Sequence, residues 1–263
     1  PCSLRLNQLK PSTQRKVIVI LNRVMDTLLL IHSRSFATTT MTPSSLQNSL
    51  ETTLATPLAQ GLAALNIELS ADQQQRLLQY VVLLNKWNKV YNLTAVRKPE
   101  SMIGLHILDC LAVLPHLGDP HRVLDVGTGA GLPGVVLGIA RPDIYITMLD
   151  SLQKKTSFVR QAIGELSLAK ADVVCQRIEQ FKPAEKFDIV ISRAFAELAD
   201  FVNGAAHLMA DDGRMFAMKG QHPADEIARL PEGFEVEKAI ALKVPQIEGQ
   251  RHLLVIKKCQ QKV

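Results

Sequence analysis

The sequence is poor in the residues that staple or metallate small proteins. It has 263 residues and four cysteines, Cys2, Cys110, Cys175 and Cys259, far apart and without a C-x-x-C pair. That excludes a zinc ribbon and a disulfide framework and fits a reducing compartment. The seven histidines show no H-x-x-x-H spacing, so no metal is expected. Aromatic residues make up 5% of the chain, with a single Trp, while hydrophobic residues reach 47%. Many aliphatics and few aromatics suit a parallel sheet covered on both faces. The most apolar early run, "VIVILNRVMDTLLLI", is interrupted by Asn22, Arg23 and Asp26. It is too short and too charged to span a bilayer, so no membrane role is expected. At this length a core can bury roughly 70–75% of the unfolded surface without any covalent staple.

Charge of one sign is also missing from most of the chain. The formal net charge of +5 resides in residues 1–40, which hold Arg5, Lys10, Arg15, Lys16, Arg23 and Arg34 against Asp26. From Met41 onward, twenty-four basic side chains face twenty-four acidic ones. Overall basicity is therefore no argument for nucleic acid; only a local patch can be one. Residues 1–40 are basic, acid-poor and contain Ser and Thr, as an organellar transit peptide would be. The change of composition at Met41 favours reading them instead as an extension ahead of the true start.

Past Met41, helices come first. "SSLQNSLETTLATPLAQGLAAL" reads as one or two amphipathic helices. "SADQQQRLLQYVVLLNKWNKV" is a stronger one, with Ser70 as N-cap and Leu77, Leu78, Val81, Leu84 and Val90 at helical spacing. "ESMIGLHILDCLAVLPHL" reads as one more, ending near Pro115 and Gly118. The pattern then alternates. Strand-length apolar runs occur at "RVLDV", "YITMLD", "DVVCQRI", "FDIVISRA", "GRMFAMKG", "FEVEKAIAL" and "HLLVIKK". Helices are expected over 132–141, 152–165, 197–209 and 224–230. Strand–helix alternation implies an α/β fold with a mostly parallel sheet. The last two strands are joined by "KVPQIEGQR", too short for a crossover helix, so they should form an antiparallel hairpin. The expected organisation is 1–40 extension, 41–118 helical segment, and 119–263 Rossmann-like core of seven strands.

The candidate site is "RVLDVGTGAGLPGVVLGIA", a strand, a glycine turn and a helix start. Gly129, Gly131 and Gly134 satisfy G-x-G-x-x-G, and Asp150 follows at the end of the next strand, where an acid takes ribose hydroxyls. Alone, this serves a nicotinamide or flavin enzyme as well as a methyltransferase. Two features break the tie. Asp125 makes the turn D-x-G-x-G-x-G, and a carboxylate facing the ligand there would repel a pyrophosphate. It would suit S-adenosylmethionine, which has a sulfonium and an ammonium but no phosphate. The terminal hairpin is a habit of methyltransferase sheets. Pro133 fits the first turn of the following helix, where a missing N–H costs nothing.

"DVGTGAGLPG", "LDSLQKKTSFVRQ", "ISRAFAEL", "MKGQ" and "RHLLVIKK", with "LLNKWNKVYNLTAVR" and "HILDC", resemble the small-subunit ribosomal RNA guanine-N7 methyltransferases, formerly called glucose-inhibited division protein B. The resemblance covers roughly residues 60–260. It implies a Rossmann-like class I S-adenosylmethionine-dependent methyltransferase acting on 16S rRNA or the small ribosomal subunit; the cysteine usage adds a cytoplasmic setting, and a monomer is expected. The resemblance also implies that Gly127 and Leu132 meet the cofactor through the turn and that Asp150 takes the ribose. Ile178 and Glu179, at the end of the third strand, would flank the adenine, and Arg193 would lie at the cofactor site. The chain departs from the family at Leu105, where an arginine usually precedes "HILD".

Other residues carry weaker signals. Arg177, Arg160 and Lys219 are weaker candidates: Lys219, at the end of the fifth strand, could touch RNA phosphate or the cofactor carboxylate, while Arg160 shares a helix with Lys154 and Lys155 that fits a solvated face. His106 and Asp109, three apart on a helix, look like an acid–base pair but fit helix packing with a local hydrogen bond better. Trp87, Tyr91 and Asn92 could offer an aromatic to RNA, although a lone Trp on a leucine-rich helix belongs more often to the core. No catalytic acid or base is assigned, because guanine N7 bears a lone pair and no proton. Three alternatives stay open at this point: a methyltransferase with another substrate, a non-catalytic rRNA-binding or assembly module, and a nicotinamide-dependent oxidoreductase.

Overall fold

A computed structural model describes residues 43–193, 195 and 197–259. The extension 1–40 lies outside the described residues. The helical part opens with α1 (Pro43–Leu65), a single helix, and α2 (Ala71–Tyr91). Ser70 caps α2 as its sequence position suggests. Its hydroxyl accepts from Gln73 N at 3.2 Å, while Gln73 Oε1 accepts from Ser70 N at 2.9 Å, a reciprocal capping box. The helix ends on Asn92 in the left-handed region.

The third helical run, α3 (Pro99–Leu117), differs from the continuous α-helix expected. Residues Ile103–Leu108 form a π turn between α-helical segments. By length and composition this run could cross a membrane, but 67% of it is buried inside the fold, as in a core helix. The wider turn brings Gly104 against the backbone of Gln246, where a Cβ would come within 3.1 Å of the Gln246 carbonyl oxygen.

Seven strands follow: β1 (Arg122–Val126), β2 (Tyr145–Asp150), β3 (Ala171–Cys175), β4 (Phe187–Ser192), β5 (Met209–Lys219), β6 (Phe234–Ala241) and β7 (His252–Lys258). Their order in the sheet is β3-β2-β1-β4-β5-β7-β6. The first five are parallel, and β7 runs antiparallel to both β5 and β6. The hairpin is therefore present, with its second strand inserted next to β5. The crossovers are α4 (Gly134–Ala140), α5 (Gln153–Glu165), α6 (Leu198–Ala205) and the short α7 (Ala224–Ala228). β3 stops at Cys175, three residues short of the expected end, and Ile178–Gln180 form a 3-10 turn beyond it. β5 begins earlier than expected, at Met209, and Pro133 stands just before α4, not inside it.

Two apolar layers sandwich the sheet. One joins Leu54, Leu58, Leu77, Leu84, Ile107 and Leu108 of the helical run to Val135, Ile146 and Phe158. The other packs Leu198, Phe201 and Val202 of α6 against Leu124, Val190 and Leu254. Helix α2 also supplies polar closure. Gln73 Nε2 donates to the carbonyls of Ile139 and Ala140 at the end of α4, at 3.0 and 2.9 Å. Arg76 donates to the carbonyl of Leu166, which ends α5, at 3.0 Å. Helix ends leave carbonyls without intrahelical partners, and α2 satisfies them at two helices.

Candidate active site

In parallel α/β sheets, ligands bind beyond the carboxyl ends of the strands, where the strand order reverses. Here that point lies between β1 and β4. The glycine turn leaves β1 with Gly127, Gly129 and Gly131 at φ 68°, 60° and 87°, a run of left-handed positions natural to glycine. Gly134 is required for a different reason: a Cβ there would come within 2.4 Å of the Met148 side chain and 2.9 Å of Asp125.

Two carboxylates lock this turn. Asp125 is fully buried, and its Oδ2 accepts from Thr128 Oγ1 at 2.6 Å and Gly134 N at 2.7 Å. Burial pushes its pKa up to about 6, against the opposing pull of those two hydrogen bonds. Oδ1 is buried without a hydrogen-bond partner among the described residues. Asp125 thus holds the turn from beneath, a correction to the expectation that it faces a ligand openly. Asp150, also buried, accepts from Gly129 N at 3.0 Å and Leu152 N at 2.9 Å, with Lys155 Nζ at 3.4 Å. The Thr128 carbonyl accepts from Gly131 and Leu132, and the Gly131 carbonyl from Val135. A diphosphate needs free N–H groups at such a helix start. Here the N–H groups of Gly129 and Gly134 are committed to carboxylates and those of Gly131 and Leu132 to a turn carbonyl, which argues against the nicotinamide alternative.

The other candidates fall along the same edge. Leu132 is buried, its side chain in the core and its N–H in the turn. Ile178 and Glu179 stand in the 3-10 turn after β3; the strand end itself is Cys175. Arg193 follows β4, and its Nη1 donates to the Leu105 carbonyl at 3.0 Å and approaches Asp109 Oδ2 at 3.3 Å. Arg251 Nε lies 3.2 Å from the other oxygen of Asp109. Burial pushes the Asp109 pKa up, while the two guanidinium groups oppose it. Leu105, the position of the departure, contributes its main-chain carbonyl to this cluster.

Several weaker candidates have structural partners. His106 bonds Thr94 Oγ1 and the Leu105 carbonyl, each at 2.9 Å, and does not pair with Asp109. Burial and the nearby Arg193 lower its pKa to about 4, so the ring is neutral. Lys219 is held by Glu226 at 2.6 Å and by the Phe195 carbonyl at 3.2 Å. Arg160 reaches the Val173 carbonyl, and Arg177 precedes the 3-10 turn. Trp87 packs against the core, between Tyr91 at 5.0 Å and Phe158 at 5.6 Å.

Sequence reasoning missed Tyr80. This fully buried residue of α2 donates its hydroxyl to the Ala130 carbonyl at 2.6 Å, bracing the glycine turn from the helical segment. A signal existed: a tyrosine on a leucine-rich face needs a partner for its hydroxyl. Thr128 and Ser192, the latter bonded to the Val126 carbonyl at 2.8 Å, complete the bracing.

These features fit S-adenosylmethionine. The orphaned Asp125 oxygen offers negative charge beneath the turn. A Cβ on Gly129 would meet nothing nearer than the Gly127 carbonyl oxygen at 3.8 Å, so space lies open above it. Fold and edge together define a Rossmann-like, S-adenosylmethionine-dependent methyltransferase.

Residues 73–254 match the family described as rRNA small subunit methyltransferase G, and the chain belongs to that family. It is 53% identical over 205 residues to the ribosomal RNA small subunit methyltransferase G of Burkholderia ambifaria, covering 76% of this chain and 90% of that one. Its identity to the Chromobacterium violaceum protein of the same name is 49% over 197 residues, 75% of this chain and 94% of that one. Among solved structures it is similar to the N-methyltransferase NodS of Bradyrhizobium japonicum with S-adenosyl-L-homocysteine, at 13% identity and a TM-score of 0.48, covering 67% and 100% of the two chains.

Proposed function

We propose that the chain methylates N7 of a guanine in the decoding region of 16S rRNA, acting as a monomer in the cytoplasm on the RNA or the small subunit. The observation that carries the cofactor half is the turn whose donors are taken by Asp125 and Asp150, an acidic bend that repels diphosphate and suits a cation. The acceptor half rests on family membership.

S-adenosylmethionine, when bound, supplies an electrophilic methyl group on a sulfonium. In this reading Gly127 and Leu132 line its place through the turn, Asp150 faces the ribose hydroxyls, Ile178 and Glu179 flank the adenine, and Arg193 closes the β4 side. Asp150 would exchange part of its present bonding for the ribose. Guanine N7 carries no proton, so the chain's task is orientation: to hold the acceptor in line and keep water out. No side chain is asked to move a proton.

The test has two arms. Calorimetry should show binding of S-adenosylhomocysteine and none of NAD. Deleting the gene should remove one N7-methylguanine from 16S rRNA, mapped by reverse-transcription stops after cleavage at that base. An unchanged map alongside intact S-adenosylhomocysteine binding would reject the rRNA assignment and leave the cofactor standing.

A further inference from the structure

From Met41 onward the chain is charge-balanced, yet two stretches are not. Residues 86–98 contain Lys86, Lys89, Arg97 and Lys98 and no acid; residues 151–155 contain Lys154 and Lys155 and no acid. Contacts between α2 and α5 bring these stretches together. Arg76, near the start of α2, reaches Leu166 at the end of α5. Tyr80 and Trp87 both pack on Phe158, midway along α5. The two helices are therefore antiparallel. At about 1.5 Å per residue, the fifteen residues from Arg76 to Tyr91 match the fourteen from Leu166 back to Leu152. The end of α2 thus comes level with the start of α5, which directly follows Asp150.

This common end exposes apolar surface. The exposed large hydrophobic residues among those described are Val90 at 55%, Tyr91 at 40%, Leu152 at 46% and Tyr145 at 45%. Three of these four belong to the two basic stretches. Tyr91 is stacked on Trp87 at 29° between ring planes, and Trp87 is seated on the core. One face of the Tyr91 ring is thus backed and held while the ring remains open to solvent. Lys89, Lys98 and Lys154 are exposed and enter no ion pair among the described residues. Arg97 is bonded to the Asn88 carbonyl and the Asn92 side chain, both neutral, so its charge stays uncompensated.

We infer that this end of α2 and α5 is a docking surface for unpaired rRNA, with an unstacked base lying on Tyr91 and neighbouring phosphates on Lys89, Lys98 and Lys154. The inference rests on the rRNA reading above. An aromatic ring already fixed on one face is a base-stacking platform that loses little freedom on binding, and isolated lysines beside it complement a phosphate backbone. A protein ligand is disfavoured: lysines without acidic partners stand among the apolar residues, and lysine is depleted in protein–protein interfaces.

The test uses the full chain, protein-free 16S rRNA transcript and assembled small subunits, with S-adenosylhomocysteine affinity as the check on folding. Tyr91→Ala should raise KM for RNA roughly five- to tenfold, as loss of one stacked base predicts, and Tyr91→Phe should restore it. Replacing Lys89, Lys98 and Lys154 together by Gln should weaken RNA binding more and lower the salt dependence by about two units of slope. KM for the cofactor and kcat should hold. Unchanged RNA binding in both variants, with wild-type transfer intact, overturns the surface alone. Weakened binding to assembled subunits but not to free RNA assigns the patch to a ribosomal protein and likewise overturns it. Wild-type protein that binds S-adenosylhomocysteine but methylates neither RNA form overturns the reading beneath.

Discussion

The carboxyl edge of the sheet has two halves built on opposite plans. At β1 and β2 the charged groups are acids, Asp125 and Asp150, and they bind main-chain N–H groups within a few residues of one another. At β4, β5 and β7 the charged groups are cations, Arg193, Lys219 and Arg251. They are held by carboxylates from elsewhere, Asp109 of α3 and Glu226 of α7. The acidic half is wired to its own backbone and is rigid by construction. The cationic half owes its geometry to other elements and changes when they change.

The largest effect should come from the acidic half. Asp125→Ala leaves Gly134 N and Thr128 buried without their acceptor, a loss of about 2–3 kcal/mol in urea unfolding and of measurable S-adenosylhomocysteine binding. If binding survives, the turn does not depend on this acid and the contrast between halves fails.

Acid titration sharpens the same contrast, because one buried group in each region shifts in opposite senses. His106 of α3 has a folded pKa of about 4 against 6.5 for the free side chain. The unfolded chain binds that proton first, so stability drops as pH falls from 6.5 through 4, by roughly 1.4 kcal/mol per unit of difference. Asp125, raised to about 6 from 3.8, acts in reverse: the folded state binds its proton first, and stability gains as pH falls through that window. Unfolding midpoints across this range should fall less steeply in His106→Gln than in wild type and more steeply in Asp125→Asn. The same slope in all three would remove both groups from the account.

Asp109→Asn tests the cationic half. It withdraws the shared carboxylate charge from Arg193 and Arg251, each about a quarter exposed, so a loss of about 1–2 kcal/mol is expected after allowing for solvent screening. Methyl-transfer rate should fall more than S-adenosylhomocysteine affinity, since the turn is untouched. An affinity loss as large as that of Asp125→Ala would erase the distinction. Smallest in stability is Gly129→Ala, about 1 kcal/mol for a left-handed residue. Its Cβ points into open space above the turn, so cofactor affinity should drop well beyond that cost; calorimetry beside unfolding decides.

What could be read from the sequence followed local chemistry. Strand-length apolar runs, the Ser70 cap and the short link before β7 were legible because each depends on neighbours a few residues away. The place of β7 between β5 and β6 was not, since pairing order is a long-range choice. The end of β3 and the setting of Ile178 and Glu179 were misjudged because Ile178 adds an apolar residue just past the last ladder pair at Cys175, where the chain has already turned into a 3-10 segment. Asp125 was identified but its task was misread: the sequence shows an acid before a glycine turn, not that the turn folds back over it. Tyr80 and Arg251 were hidden for a further reason. Their partners, Ala130 and Asp109, lie far away in sequence.

Gln73 and Arg76 finish off helices that belong to the sheet. A shortened protein starting after α2 would lose the plugs for two crossover ends along with one wall of the core. The catalytic half and its leading helices are therefore inherited as a single piece, and neither should survive as a freestanding product of proteolysis.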